Sequence, residues 1–280
     1  MKEKIVILIT GQKKRLELLS KIKYIIRPLH EKFNVSVLLS LSNSENFTNR
    51  HKYKKKFFIN TNLCNIDSYL KDFTYSVNDI VYPDIPINYK LTSMYDKQNL
   101  GKQYTIHRSH NHIRQYYTLY DSWSIIKKIN PDLLIRIRDD ATLSTVLKLS
   151  HLTKECRYNK KCIITPNENM YQGINDKFAI VSKDAIETYL TKPLEVYKNY
   201  HYNYRTRIKN PEQFLKHVYT YYGVTLLTYN ININIMGHDA ASDGKDTKRQ
   251  VKDAVISNPN LLRLQYTCRG RPQGMRPWPP

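Results

Sequence analysis

The sequence predicts an α/β protein in which a mostly parallel central sheet is flanked by helices. The apolar, β-branched run 5–9 is followed by helix-spaced apolar residues over 15–33 and by a second apolar run at 35–40. A strand, a helix and a strand in this order form the unit from which parallel sheets are built. A second helical pattern over 110–129 leads directly into the apolar run 133–137, which repeats the arrangement. Alternating strands and helices are typical of α/β folds.

Short apolar runs and turn residues predict the remaining elements. Pro28 ends or kinks the first helix, because proline has no N–H and crowds the preceding turn. Ser182 is the expected N-cap of a later helix, Pro211 lies in the first turn of another, and Gly223 caps the end of that helix. The remaining strands are predicted at 56–60, 79–82, 162–165, 177–181, 224–228 and 231–235, and a short helix at 62–70.

The composition indicates one large folded domain with a tail. The chain has 280 residues, of which 41% are hydrophobic and 23 are tyrosines, and this is enough for a sizeable core. The strand and helix patterns fall within 1–236, whereas 237–280 are polar, basic and contain glycine and proline. We therefore expect a folded domain over 1–236 and a basic C-terminal extension over 237–280.

The charge of the chain favours polyanionic partners. A formal net charge of +21 results from 45 lysines and arginines against 24 aspartates and glutamates. Nucleic acid, an anionic membrane surface and the phosphates of a nucleotide are the partners that such an excess attracts. The codon usage of an AT-rich genome also explains it, since Lys, Asn, Ile and Tyr are all abundant.

Several classes of protein are disfavoured by the sequence. Four cysteines without a Cys-x-x-Cys pair argue against a structural zinc site and against a disulfide framework. The first apolar run ends at Ile9, which is too short for a signal peptide. No stretch approaches the ~20 apolar residues that a membrane-spanning helix needs. We therefore expect a cytoplasmic protein without a transmembrane segment.

The segment 130–141 carries the strongest functional signal. Its apolar run ends in Asp139 and Asp140, and Arg136 and Arg138 are threaded through it. Because side chains alternate along a strand, Arg136, Arg138 and Asp140 are expected on one face. Open α/β sheets bind ligands at the carboxyl ends of their strands, where carboxylates suit a hard divalent cation and arginines suit phosphate. The alternative is an Arg–Asp pair that caps a buried strand.

The turn after the first strand contains Thr10, Gly11, Gln12 and Arg15. Gly11 permits a tight turn, and the backbone amides of the following helix could meet an anion there. Gln12 and Arg15 could hydrogen-bond a base or a phosphate. The turn matches neither the P-loop nor the G-x-G-x-x-G fingerprint, so a plain strand–helix turn also explains it.

Three further side chains are candidates. Asp176 precedes an apolar strand, where it could act as a general base or bind a hydroxyl or a metal, or could form an Asx-turn with Asn175. Glu212 lies in the first turn of a helix, where a carboxylate is favourable in any protein. Arg114 lies near the start of a long helix and could reach a nucleotide.

Four motifs follow one another along the chain. They read Ile-Leu-Ile-Thr-Gly-Gln with a following arginine, then Arg-x-Arg-Asp-Asp, then Gly-Ile-Asn-Asp-Lys-Phe-Ala-Ile, and last Pro-Glu-Gln-Phe-Leu. In this order they resemble a family of nucleotide-sugar glycosyltransferases with the GT-A fold, which is found in bacteria, plants and large DNA viruses of algae. The resemblance covers 5–235, and the order of the motifs carries more weight than any one of them.

The resemblance implies a Rossmann-like GT-A domain with a nucleotide diphosphate sugar across the carboxyl ends of the central strands. The acidic motif of the family, Asp-x-Asp, would hold Mn²⁺ or Mg²⁺ on the diphosphate. Here it maps to the adjacent acids Asp139 and Asp140, of which the strand phase favours Asp140. Arg136 and Arg138 would orient that acid or neutralise phosphate.

The resemblance assigns the other candidates to the donor and acceptor sides. Thr10, Gly11, Gln12 and Arg15 would contact the nucleotide. Asp176 would be the base that deprotonates the acceptor, and Glu212 would be a second base or a ligand of a sugar hydroxyl.

The activity implied is metal-dependent transfer of a hexose or pentose to a hydroxyl of a glycan or glycoprotein, with inversion preferred. Two other functions remain open. A nucleic-acid-binding α/β protein would use the positive charge and predicts steeply salt-dependent binding to RNA or DNA. A degenerate transferase would keep the fold without the reaction.

Overall fold

The computed structural model describes residues 2–43, 66–87, 102–147, 158–167, 173–199 and 210–235, together with residues 149, 154, 155 and 208. The predicted strand at 56–60, the first part of the predicted helix at 62–70 and the predicted extension over 237–280 lie outside these residues.

A central sheet dominates the part of the chain that the structure describes. Its strands are β1 (Lys4–Gln12), β2 (Asn34–Ser42), β3 (Thr74–Ile80), β4 (Leu133–Arg138), β6 (Cys162–Pro166), β7 (Phe178–Ser182) and β8 (Thr225–Tyr229), and β5 (Ala141–Leu143) and β9 (Ile233–Ile235) form a second, two-stranded sheet. The order in the central sheet is β3-β2-β1-β4-β7-β6-β8. β1 pairs in parallel with β2 and with β4, so it lies at the centre of the parallel half.

The prediction of a mostly parallel sheet flanked by helices is confirmed, with one reversed strand. β7 runs antiparallel to its neighbours β4 and β6, while β2–β3 and β6–β8 are parallel pairs. An apolar run has the same appearance in either orientation, so the direction of β7 could not be predicted. The reversal places the beginning of β7 beside the end of β4, where Phe178 pairs with Ile137.

The helices cover both faces of the sheet. They are α1 (19–30), α2 (Ile66–Leu70), α3 (Lys102–Ile129), α4 (Ile186–Lys198) and α5 (Pro211–Tyr221). Alternate residues of β1 divide between two cores: Ile7 packs with α1 and α2, and Leu8 packs with α3, α4 and α5. This division is what a strand buried on both faces requires. None of the described helices combines the length and the hydrophobicity that crossing a membrane requires.

Pro28 does not end α1, so the first of the two predicted outcomes, an end or a kink, is wrong. The helix is α-helical over Leu19–Lys21, π-helical over Ile22–Ile26 and α-helical again over Arg27–His30. Pro28 cannot donate to the carbonyl of Tyr24, one turn earlier. That carbonyl instead accepts a hydrogen bond from the Leu147 N–H at 3.0 Å. The helix therefore continues past the proline by way of the π-helical segment. A neighbouring loop supplies the hydrogen bond that Pro28 cannot donate to the Tyr24 carbonyl.

Of three predicted helix boundaries, the structure contradicts one and confirms two. The Ser182 side chain does not cap α4, because its Oγ donates to the Lys160 carbonyl and accepts from the Cys162 N–H, both at 2.8 Å. A 3-10 turn over Lys183–Ala185 precedes α4 instead. Pro211 does begin α5, and Gly223 just beyond its end has the predicted left-handed conformation, with φ +70°.

Candidate functional site

The candidate site lies where the strand order reverses direction. From β1 the chain continues to β2 on one side, whereas β4 joins β1 on the other side. In open α/β sheets the crevice outside such a pair of strands is the usual ligand site. Here Thr10 pairs with Arg138, and the Asp139 N–H donates to the Thr10 carbonyl at 2.8 Å. Asp139 and Asp140 thus form the turn between β4 and β5, beside the carboxyl end of β1.

Asp139 is buried and bound by the turn that follows β1. Arg15 donates to both of its carboxylate oxygens, from Nε at 2.9 Å and from Nη2 at 3.1 Å. The Gln12 N–H donates to Oδ2 at 2.8 Å. Gln12 and Arg15 thus lie at the end of β1, as the sequence predicted, and in this structure they bind Asp139, while their contact with a nucleotide stays a prediction.

Gly11 makes this arrangement possible. It lies within β1, with φ +142°, and not in the tight turn that the sequence predicted. A Cβ atom on Gly11 would be 2.2 Å from Cγ of Asp139. The absent side chain therefore leaves the space that the Asp139 carboxylate fills.

Asp140 is bound by two guanidinium groups. Arg138 donates to its Oδ1 from Nε at 3.0 Å and to its Oδ2 from Nη2 at 2.7 Å, and Arg15 donates to Oδ2 from Nη1 at 3.1 Å. Burial opposes the charged form, but Arg138 and Arg15 outweigh it and hold the pKa of Asp140 well below its usual value. Asp140 is therefore an ionised carboxylate. β4 ends at Arg138, so Asp140 lies in the turn beyond the strand and not on the predicted strand face, although the two side chains are hydrogen-bonded.

A further buried ion pair, Lys21 with Glu17, lies against the turn between β4 and β5, and the sequence did not predict it. Nζ of Lys21 donates to the carbonyls of Asp139 at 3.0 Å and Ala141 at 2.6 Å, and contacts Glu17 Oε2 at 3.5 Å. Glu17 in turn accepts from the Ser20 N–H at 2.8 Å. The carboxylate of Glu17 therefore occupies the start of α1, where the sequence predicted that backbone amides would meet an anion.

Arg136 is not placed to bind phosphate. Only 2% of its surface is exposed, and its Nε donates to Oγ1 of Thr10 at 3.0 Å. Its Nη1 donates to the backbone carbonyl of Asp176. Arg136 thus lies on the predicted face of β4, but it points into the protein and joins the end of β1 to the loop before β7.

The loop before β7 brings the two predicted catalytic acids into one region. A Cβ on Gly173 would lie 2.0 Å from the backbone carbon of Glu212, and the Ile174 N–H donates to the Glu212 carbonyl at 3.2 Å. Glu212 itself is buried in the first turn of α5. Asp176, two residues beyond Ile174, is half-buried. Burial opposes its ionisation, but Arg138 and Arg136 lower the pKa of Asp176 below its usual value.

Asn175 adopts the predicted Asx-turn, because its Oδ1 accepts from the Lys177 N–H at 2.8 Å. This structural role does not compete with a catalytic role for Asp176, since the carboxylate of Asp176 takes no part in the turn.

Arg114 stands apart from the acid pair. Its guanidinium lies over the ring of Tyr82, 5.5 Å from the centroid, just beyond β3. Among the described residues it forms no hydrogen bond or ion pair with Asp139 or Asp140. A contact with a nucleotide therefore stays a prediction for Arg114.

The acid pair offers carboxylate oxygens to a cation. From the described residues, Oδ1 of Asp139 and Oδ1 of Asp140 each accept one hydrogen bond, whereas each Oδ2 accepts two. Magnesium is typically held by one or two carboxylates together with substrate phosphates. The two carboxylates fit that pattern, although no group of three or more His, Cys, Asp or Glu side chains forms a metal site within the described ranges. Metal binding by Asp139 and Asp140 stays a prediction.

The charges of the cluster are balanced. It contains four acids (Glu17, Asp139, Asp140 and Asp176) and four bases (Arg15, Lys21, Arg136 and Arg138). A neutral cluster with partly exposed arginines at its mouth can accept an anion if a guanidinium exchanges its carboxylate partner for phosphate, which it binds with the same two-pronged geometry.

No protein-family model matches this chain, and no curated protein matches it. Among solved structures, the chain is similar to mouse xyloside xylosyltransferase 1 in its apo form, with 12% identity and a TM-score of 0.38 over 81% of this chain and 85% of that one. It is also similar to the mannosyltransferase Ktr4p from S. cerevisiae in complex with GDP, with 13% identity and a TM-score of 0.44 over 83% of this chain and 71% of that one. Both TM-scores are below 0.5, so no residue role and no substrate is carried over from either protein.

Proposed function

We propose that this chain is a glycosyltransferase that moves a sugar from a nucleotide diphosphate sugar to the hydroxyl of a glycan or glycoprotein. The observation that carries the proposal is the cluster of arginines and carboxylates at the carboxyl ends of β1 and β4. It lies at the switch point of the sheet, where α/β folds bind nucleotides.

Arg15 and Arg138 are the proposed ligands of the donor diphosphate. Both side chains remain about a quarter exposed, at 24% and 23%, while the carboxylates that they bind are buried. Guanidinium groups match phosphate as well as carboxylate, so an arriving diphosphate can compete with Asp139 or Asp140 for them. In this position the two arginines stabilise the charge that develops on the leaving group.

Asp139 and Asp140 are the proposed ligands of Mn²⁺ or Mg²⁺. A divalent cation held there would take up negative charge on the diphosphate as a Lewis acid. The adjacent positions of the two acids allow either to supply the first oxygen, and Asp140 is hydrogen-bonded to Arg138, the last residue of β4.

Asp176 is the proposed general base. The acceptor hydroxyl forms a bond to the anomeric carbon while the bond from that carbon to the diphosphate oxygen breaks. The hydroxyl proton passes to the Asp176 carboxylate, and the nucleoside diphosphate leaves. The lowered pKa of Asp176 supports this role, because the base has to be ionised before it accepts the proton. Attack from the face opposite the leaving group would invert the sugar, which we prefer.

Glu212 is the proposed ligand of a sugar hydroxyl, or a second base. What supports this is its position at the start of α5, in backbone contact with the loop that carries Asp176.

A panel of nucleotide sugars tests the proposal by thermal shift, with and without Mn²⁺. A ligand that binds only the folded state stabilises it by about 2.7 kcal/mol at 100 times its Kd. We expect one nucleotide sugar to raise the Tm, and Mn²⁺ to strengthen the effect. Asp140→Asn should lose the metal-dependent part, and the exposed-site variant Arg27→Gln should behave as the wild type.

The net charge of +21 favours the second candidate, nucleic-acid binding. If no nucleotide sugar changes the Tm and RNA or DNA binds with a steep salt dependence, the transferase proposal is wrong. If a nucleotide sugar binds but neither transfer nor hydrolysis follows with any acceptor tried, the chain is a degenerate transferase.

A further inference from the structure

The backbone carbonyl of Asp176 accepts hydrogen bonds from two side chains on two different elements. One comes from Nη1 of Arg136, on β4, and the other from Nε2 of Gln115, on α3, at 3.2 Å. Neither donor contacts the Asp176 carboxylate by hydrogen bond. The two side chains therefore hold the backbone from which the proposed base projects.

Burial of the charged guanidinium of Arg136 costs free energy that its hydrogen bonds have to offset. A buried charge needs hydrogen-bonding partners, since its desolvation costs several kcal/mol. Here the partners include the Thr10 hydroxyl, the Asp176 carbonyl and the Tyr189 side chain, and the negative charge of Asp176 lies near it. These partners tie the end of β1, which flanks the donor crevice, to the loop before β7.

Hydrogen bonds also fix the backbone of the rest of this loop, although it has no regular secondary structure. The Ile174 N–H donates to the Glu212 carbonyl, the Lys177 N–H donates to Asn175, and the Lys177 carbonyl accepts from the Arg138 N–H at 3.0 Å. Within the described residues, no group donates a hydrogen bond to the Asp176 carboxylate. The backbone of the loop is thus fixed while the carboxylate remains available to a ligand.

We propose that Arg136 and Gln115 are positioning residues, which set the place of the Asp176 carboxylate by holding its own backbone carbonyl. This inference rests on the proposed function, in which Asp176 is the base. It also removes Arg136 from the donor site, since its guanidinium is occupied inside the protein.

Two variants test the two hydrogen bonds to the Asp176 carbonyl separately. Gln115→Leu keeps the size of the side chain and removes one hydrogen bond, and Arg136→Lys keeps the charge and loses the fork of donors. Lys127→Leu is the matched control, because it changes an exposed residue near the end of the same helix. Asp176→Asn provides the reference for loss of the base.

Hydrogen exchange of the protein measures, without any substrate, how firmly the backbone of the loop before β7 is held. We expect the Lys177 amide to exchange faster in Gln115→Leu and in Arg136→Lys, while the amides of β4 remain as protected as in the control. Unchanged exchange at Lys177 in both variants would overturn the inference, because the loop would then hold itself.

Kinetics and nucleotide binding separate positioning from donor binding. With the donor that raises the Tm in the nucleotide-sugar panel, we expect kcat to fall by about 3- to 10-fold in Gln115→Leu, the range that one neutral hydrogen bond supports. In Arg136→Lys it should fall by about 100-fold, as expected when a reacting group is misplaced by about 1 Å. The KM for the donor and the affinity for UDP or GDP with Mn²⁺ should change less than twofold.

Each outcome has a distinct meaning. A loss of UDP and GDP affinity in Arg136→Lys equal to that in Arg138→Gln would make Arg136 a donor ligand and overturn the inference. A lowered Tm with unchanged kcat would reduce both residues to a structural role. If the wild-type protein binds no nucleotide sugar of the panel and no nucleoside diphosphate, the proposed function fails, and the exchange rate at Lys177 still reports whether the two side chains hold the loop.

Discussion

Gly11 and Asp139 share one small volume at the end of the sheet. The position where a side chain would begin on Gly11 lies 2.2 Å from Cγ and 2.3 Å from Oδ1 of Asp139. The carboxylate consequently packs directly on the backbone of β1, within reach of the Gln12 N–H and of Arg15. Gly11, which the family resemblance assigns to nucleotide contact, thus makes room for an acid of the site.

Gly11→Ala should destabilise the protein and displace the acid pair. A non-glycine residue in such a conformation costs about 1–3 kcal/mol, and the contact with Asp139 adds to that cost. Gly223→Ala is the control, because Gly223 has φ +70° and no atom within 4 Å of its Cβ position. We expect urea unfolding to give a larger loss for Gly11→Ala than for Gly223→Ala, and nucleotide binding to weaken only in the former. Equal losses would mean that Asp139 moves aside without cost.

The parts of the site that could be predicted are local in sequence. The alternation of Ile135 and Arg136 fixes opposite faces of a strand, and the structure buries Ile135 in one core while Arg136 reaches across the other face. The Asn210–Pro211 helix start was recognisable for the same reason. Its cap is a contact over three residues, from the Gln213 N–H to Asn210 Oδ1 at 2.8 Å.

The parts that could not be predicted depend on distant contacts. Arg15 and Asp139 are 124 residues apart, and nothing local says that one will neutralise the other. Glu17 and Lys21 have the spacing of an exposed helical ion pair, yet Lys21 is wholly buried against backbone carbonyls. Charged residues are so seldom fully buried that sequence reasoning assigns such a pair to the surface.

The loss of stability caused by Asp140→Asn should be larger at neutral pH than at acidic pH. The pKa of Asp140 in the folded protein is lowered by Arg138 and Arg15, which outweigh its burial. The stabilisation is therefore complete above the unfolded pKa of about 3.9 and is lost as the pH falls below it. We expect a deficit of about 3 kcal/mol at neutral pH, as for one partner of a buried pair, which shrinks at about pH 3. Urea unfolding at both pH values measures it, and a deficit independent of pH would contradict the ion pairing.

Arg15→Gln should bind Mn²⁺ more tightly than the wild type and nucleotide less tightly. In the structure Arg15 donates three hydrogen bonds to the two acids that are the proposed metal ligands. Removing its charge relieves the repulsion of a divalent cation, and a gain of about 1.4 kcal/mol corresponds to tenfold in affinity. Titration of Mn²⁺ followed by electron paramagnetic resonance gives the affinity without turnover. Calorimetry with UDP and GDP gives the opposite change, and Arg27→Gln is the control for an exposed arginine.

Unchanged Mn²⁺ affinity in Arg15→Gln would show that the cation does not bind at the acid pair. Asp139 and Asp140 would then serve to orient Arg15 and Arg138 towards the diphosphate, which is the role that their present hydrogen bonds describe.

Lys21→Met should be among the most destabilising single substitutions in the chain. Nζ of Lys21 lies within hydrogen-bonding distance of the carbonyls of Glu17, Asp139 and Ala141 and of the Glu17 carboxylate. Methionine fills the space but leaves these acceptors without their donor, which costs about 3–5 kcal/mol for a broken buried ion pair. Calorimetric or urea unfolding measures the loss. The double variant Glu17→Gln/Lys21→Met removes the uncompensated charge, so it should be more stable than Lys21→Met alone. If the double variant is the less stable of the two, Glu17 owes its stability to Ser20, whose N–H and hydroxyl both donate to it, and not to the lysine.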